Sequence, residues 1–278
     1  MTWLGFPVAI AIALLVVPAG VRGLLDAGLV RTNYRGANLA FPLGAVLATA
    51  ALVALAPLAF LNDRADLDLL SPELRQWMPY LLGVVFLGFL DDALGRGEDA
   101  TAPRGWRGHA RALRAGSLST GAVKALGALA LAAYVVSGRG LESWRYIADV
   151  VLLILATNLF NLLDLRPGRA EKGLALLAAG LCLGAWTFAP LELLGIFAGP
   201  ALVGAAFTLR EQAMLGDTGS NLLGAIGGIW LLTTLGPDAR LIALTVVAGL
   251  TIYGELRSIS ATIESVPPLR WLDSLGRA

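Results

Sequence analysis

Residues 84–95 read VVFLGFLDDALG, an apolar run that stops on two adjacent carboxylates, Asp91 and Asp92. The pattern around them predicts a helix over 71–90. At 1.5 Å per residue that is about 30 Å, the thickness of a bilayer's hydrocarbon core. Two like charges side by side repel, so one or both call for a cation or a proton.

Such runs recur along the whole chain. Of 278 residues, 57% are hydrophobic and only 15% charged, against about 25% charged in a soluble domain, and the mean hydropathy is +0.73. Nine helices are predicted, near 3–21, 39–61, 71–90, 119–136, 146–163, 174–188, 191–208, 220–235 and 240–253. The expected fold is an all-α polytopic membrane protein with about nine transmembrane helices, forming one domain over 1–278. A net charge of +1 gives no case for nucleic acid. The single Cys182 excludes a disulfide within the chain. The first helix has no basic leader or A-x-A cleavage site and is read as a retained span.

Nine spans put the termini on opposite sides. The loops of one side hold 15 Arg and Lys residues and those of the other hold 5, with Lys124 inside a span. The positive-inside rule then places the N-terminus outside and the C-terminus in the cytoplasm. Trp3, Trp77 and Trp144 are expected at the outer interface as an aromatic belt. Residues 256–278 form a cytoplasmic surface tail, broken by Pro267 and Pro268. Leu269, Leu272 and Leu275 recur along it at three-residue spacing, as in an interfacial amphipathic segment. The loop after Asp92 carries five arginines and His109, the only histidine. It reads as a charged linker or a contact for anionic lipid heads, with His109 solvated.

On this topology the unusual polar residues share the cytoplasmic side. They are Asp91 and Asp92 after the third helix, Lys124 a turn inside the fourth, and Asn158, Asn161 and Asp164 in NLFNLLD. Asp217 and Ser220 in GDTGSNLLG and Asn33 and Arg35 in TNYRG complete the set. Asn158, Asn161 and Asp164 are three apart and would share a helix face. Ionised groups in a span normally face a protein interior or cavity. Carboxylates, an ammonium and backbone N–H groups opened by glycines together describe a site for a divalent cation and phosphate. Taken singly, each has a plainer reading: Asp92 and Asp164 as residues that cap or solvate a helix end, Lys124 snorkelling to headgroups, Asp217 and Ser220 as caps.

LGFLDDALG, NLFNLLD and GDTGSNLLG resemble, in this order, three signatures of the polyprenyl-phosphate N-acetylhexosamine-phosphate transferases, the superfamily of phospho-N-acetylmuramoyl-pentapeptide transferase. The resemblance implies Mg²⁺- or Mn²⁺-dependent transfer of a sugar phosphate from a UDP-N-acetylhexosamine-type donor to a membrane polyprenyl phosphate, with release of UMP. By position it implies metal ligation by Asp217, activation of the lipid phosphate or assistance to the metal by Asp91, and support from Asp92. Lys124 would hold phosphate, and Asn158, Asn161 and Asp164 would line the nucleotide-sugar pocket. The active face would be cytoplasmic, in the inner or plasma membrane. The implied partners are the bilayer, the lipid phosphate and the nucleotide sugar; a homodimer stays open. Pro167 stands where the family carries a second carboxylate, so Arg166 and Arg169 are the candidates for phosphate contact there. The family's late His-rich motif is absent. A second reading therefore stands beside the enzyme: a non-catalytic relative that binds lipid phosphate as a scaffold or transport component.

Overall fold

The computed structural model of the chain describes residues 2–65, 67–94 and 120–277. His109 and the loop arginines Arg96, Arg104, Arg107, Arg111 and Arg114 lie outside the described residues. After a 3-10 turn at Thr2–Leu4 come α1 (Gly5–Asp26), strands β1 (Val30–Thr32) and β2 (Asn38–Ala40), α2 (Leu43–Arg64) and α3 (Leu74–Leu94). Then follow α4 (Thr120–Ser137), α5 (Ser143–Leu163), α6 (Arg169–Gly184), α7 (Ala189–Leu209), α8 (Gly216–Thr234) and α9 (Pro237–Leu256). The tail holds α10 (Ile259–Ser265) and α11 (Pro267–Ser274). Among the described residues six helices are long and apolar enough to cross a membrane: α1 with its leading turn, α2, α3, α5, α7 and α9. The molecule is an all-α polytopic membrane protein, with one small hairpin among the described residues.

Helix α8 is the axis of the bundle. It packs against α2, α3, α5, α6 and α7, and every residue from Thr218 to Leu232 is buried. A helix apolar all round, with no polar face to give to solvent, belongs in such a position. Close packing there depends on glycine. A Cβ on Gly44 of α2 would overlap the Gly219 backbone nitrogen, and one on Gly88 of α3 would lie 2.5 Å from the Asp217 carbonyl oxygen. On the α5 side, a Cβ on Gly224 would lie 2.5 Å from the Thr157 Cα. Helix α9, by contrast, buries only Val247 and Thr251.

Several boundaries differ from the sequence pattern. The second helix begins at Leu43, not 39, because 38–40 pairs with 30–32 as an antiparallel hairpin and Pro42 disfavours helical geometry in the residue before it. The hairpin is extended by residues 212–215: Met214 N–H donates to the Ala40 carbonyl at 2.9 Å and Leu43 N–H to the Met214 carbonyl at 2.8 Å. Helix α3 continues to Leu94, so Asp91 and Asp92 lie in its last turn. Helix α8 begins at Gly216, which puts Asp217 in its first turn. Helix α6 begins at Arg169 and makes that residue helical. Trp77, expected in an interfacial belt, is 1% exposed and lies under Arg139, 5.6 Å from the ring centroid. Trp3 and Trp144 are exposed.

The far end of the bundle has its own polar knot, on residues the sequence pattern does not single out. Buried Asp149 accepts from Arg240 at 3.1 Å and pairs with Arg139 at 3.8 Å. Arg139 also donates to the Leu232 carbonyl at 3.0 Å and Arg240 to the Leu235 carbonyl at 2.9 Å. The knot ties the start of α5 to the α8–α9 junction.

Candidate active site

The first turn of α8 leaves backbone N–H groups without intrahelical partners. Asp92 meets them from the last turn of α3. Its Oδ1 accepts from Asp217 N–H at 3.0 Å, and its Oδ2 accepts from Thr218 N–H at 2.9 Å and from the Thr218 hydroxyl at 2.6 Å. A carboxylate at a helix N-terminus is favoured by the helix dipole as well as by these bonds. Asp92 thus caps α8 from another helix, and it is 3% exposed. Gly216 makes room for it. With φ +71, Gly216 has a left-handed conformation natural to glycine, and a Cβ there would lie 2.6 Å from Asp92 Oδ2.

The cap aims Asp217 toward α4 and α5. Lys124 of α4 donates to Asp217 Oδ2 and lies 3.7 Å from Asp91 Oδ2, so one ammonium bridges two carboxylates from different helices. Asn161 of α5 closes the group. With its amide nitrogen toward the carboxylate, it donates to Asp217 Oδ1 at 3.2 Å and to Ser220 Oγ at 2.9 Å, while its oxygen accepts from Lys124 Nζ at 3.1 Å. Asp91, Asp92, Lys124, Asn161, Asp217 and Ser220 therefore meet at one end of the bundle. Thr218 and Arg31 join them without having stood out in the sequence. Arg31 stacks on Phe41 at 4.6 Å and approaches Asp92 Oδ1 at 4.0 Å.

Other sequence candidates have different surroundings. Asn158 is half-buried one turn before Asn161 and makes no side-chain hydrogen bond among the described residues. Asn33 is consumed by its own loop and by Glu211: Oδ1 accepts from the Arg35 and Ala37 N–H groups, each at 2.9 Å, and Nδ2 donates to Glu211 at 2.8 Å. Arg35 pairs with Glu211 at 3.0 Å and Tyr34 donates to it at 3.2 Å. Glu211, another residue the sequence does not advertise, thereby anchors the NYRG loop. Arg166 stacks on Tyr34 at 4.3 Å and pairs with Glu264 at 3.5 Å. Arg169 is taken up by the tail, where it pairs with Asp273. A cavity of about 80 Å³ is lined by Asn33, Tyr34, Asp164, Arg166, Thr208 and Met214 among others.

Asp164 follows the end of α5, with ψ 36 outside helical geometry. Burial, then the charges of Glu171, Asp217 and Asp92, hold its carboxyl well above the usual carboxylate range. An acid whose folded pKa is raised favours the native state below its unfolded value, about 3.9. That contribution is lost as pH rises through the folded pKa. Asp164→Asn is accordingly expected to raise the thermal midpoint of the EDTA-treated protein at pH 7.5 and to leave it unchanged near pH 4. Equal shifts at both pH values would show that folding does not raise the carboxyl's pKa.

A divalent cation fits this chemistry in a restricted way. Among the described residues no group of three or more acidic, His or Cys side chains is arranged to hold a metal. Asp91 and Asp217 do converge, and the ammonium between them marks a place where positive charge is stabilised. Two carboxylates, with phosphate and water oxygens completing the shell, are the usual donors for Mg²⁺ at a phosphate site.

The chain matches no protein-family model and no curated protein sequence.

Proposed function

We propose that the chain transfers a sugar phosphate from a UDP-N-acetylhexosamine-type donor to a membrane polyprenyl phosphate, with Mg²⁺ or Mn²⁺, giving polyprenyl-diphosphate-sugar and UMP. The observation that carries this reading is the meeting of Asp91, Asp217, Lys124 and Asn161 at one end of a membrane bundle. An acceptor phosphate oxygen attacks the phosphorus next to the sugar, the donor's diphosphate bond breaks, and UMP leaves. The divalent cation neutralises charge on the transferring group when bound. Asp217 and Asp91 would hold that cation, and Asp91 would also orient the acceptor phosphate. Lys124, released from the two carboxylates, has three N–H donors for phosphate oxygens. Asp92 keeps the α8 N-terminus and hence Asp217 in place. Asn161 orients Asp217 and, with Asn158 and Asp164, walls the donor pocket.

The same reading takes α1–α9 as nine spans with the site on the cytoplasmic face of the cell membrane. The distribution of Arg and Lys supports that orientation. The tail then lies along the inner leaflet. Its helix α11 turns Asp273 toward the protein and leaves Leu269 and Trp271 outward, at 42% and 65% exposed, with Leu275 just beyond its end at 42%, as an interfacial helix would.

The test is UMP release by purified protein given undecaprenyl phosphate, Mg²⁺ and a panel of UDP-sugars. Release from one donor, abolished by EDTA, is expected. Binding of the lipid phosphate by folded protein with no release from any donor would favour the scaffold reading instead.

A further inference from the structure

We infer that Asp273 is a positioning residue for the candidate site: from the tail it fixes Arg169, and with it the 164–168 turn that carries Asp164. This rests on the reading of that turn as a wall of the donor pocket. The turn has little to hold it from within. Its own backbone bonds run from Leu165 N–H to the Leu163 carbonyl at 2.8 Å and from Arg169 N–H to the Arg166 carbonyl at 3.3 Å. Pro167 has no N–H to offer, and Gly168 sits at φ +72.

The tail supplies what the turn lacks. Arg169 donates to both Asp273 oxygens, Nε to Oδ1 at 2.9 Å and Nη2 to Oδ2 at 3.0 Å, and its Nη1 reaches Ser260 Oγ at 2.9 Å. Arg277 pairs with the same carboxylate at 3.0 Å and donates to the Pro167 carbonyl at 3.2 Å. Lys172 Nζ donates to the Leu272 and Asp273 carbonyls at 3.1 and 2.5 Å. The turn and the first α6 residues are thus fastened to one short stretch of tail. The pair is desolvated, with the Arg169 and Asp273 side chains 6% and 9% exposed. An exposed ion pair contributes little, but a bidentate pair this buried leaves a costly unpaired cation if one partner goes. With the Val266–Pro267 break between them, α11 brings Asp273 and α10 brings Ser260 to the same guanidinium. The tail therefore sets where Asp164 stands relative to Asp217.

Hydrogen exchange on the full-length protein in detergent tests this. Asp273→Ala is expected to speed exchange over 164–172 at least tenfold while peptides of α2, α3 and α8 stay as in the parent. Asp273→Glu is expected to keep the parent rate. Arg277→Ala, a milder cut, should loosen the same segment by a smaller factor, and it decides the question if Asp273→Ala does not fold. In the UMP assay Asp273→Ala should raise the nucleotide-sugar KM at least fivefold with a smaller change in kcat. Unchanged exchange over 164–172 overturns the inference, as does equal acceleration throughout the bundle. The exchange arm needs no turnover. A parent protein that releases no UMP sinks the transferase reading and leaves this one to be decided by exchange.

Discussion

Asp217→Asn is expected to lower UMP release by a factor on the order of 10²–10³ while leaving the protein folded. Losing one charged or oriented group at a transferring centre typically has an effect of that size. Asparagine keeps the shape and the backbone N–H bonded to Asp92, so the α8 cap survives and the thermal midpoint should stay near the parent's. What goes is the charge that Lys124 and Asn161 now address. The rise in midpoint that Mg²⁺ is expected to give the parent should vanish in the variant, since only the native carboxylate pair favours the cation. Turnover at the parent rate would remove Asp217 from the mechanism, whatever happened to the midpoint.

The second large effect concerns packing. Gly44→Val is expected to destabilise the protein by about 3 kcal/mol or more, at the upper end for overpacking. The obstruction there is the Gly219 backbone, which has no rotamer to change. Helices α2 and α8 must separate, and Asp217 moves with them, so activity should fall with stability. Gly180→Ala in α6 is the matched control: nothing lies within 4 Å of the added carbon, and replacing a helical glycine with alanine favours the helix by up to about 1 kcal/mol. Thermal unfolding in detergent reads both. A Gly44→Val protein as stable as the parent would mean that α2 and α8 do not touch backbone to backbone.

Much of this is legible in the sequence, because the signals are local. Apolar length predicts helices, and each of the nine predicted stretches falls largely within one of α1–α9. Alternation of those helices sends Asp91, Lys124, Asn161 and Asp217 to a common end, where they meet. What escaped is what depends on a distant partner. The 30–40 hairpin is too short to show a two-residue period, and it is pinned by residues 212–215, more than 170 positions on. Asp92 looks like a twin of Asp91, yet one faces Lys124 and the other caps a helix 125 residues away. Glu211 and Asp273 look like ordinary loop and tail acids until Asn33 and Arg169 are placed beside them. Asp149 has the same character: its arginines come from the α4–α5 turn and from α9. Asn161 and Asp164 did share a neighbourhood, but Asp164 arrives by way of a turn, because α5 stops at Leu163.

The burial of α8 has a consequence for how the protein is made. Helices emerge from the ribosome in chain order, and the one that the others surround is eighth. Residues 91 and 92 leave the ribosome some 125 residues ahead of Asp217 and Thr218, a delay of roughly 6–25 seconds at 5–20 residues per second. Through that interval the three donors that bind Asp92 do not yet exist. The earlier helices leave a slot for a partner still to be synthesised, and Asp91, Lys124 and Asn161 meet Asp217 only when α8 enters it.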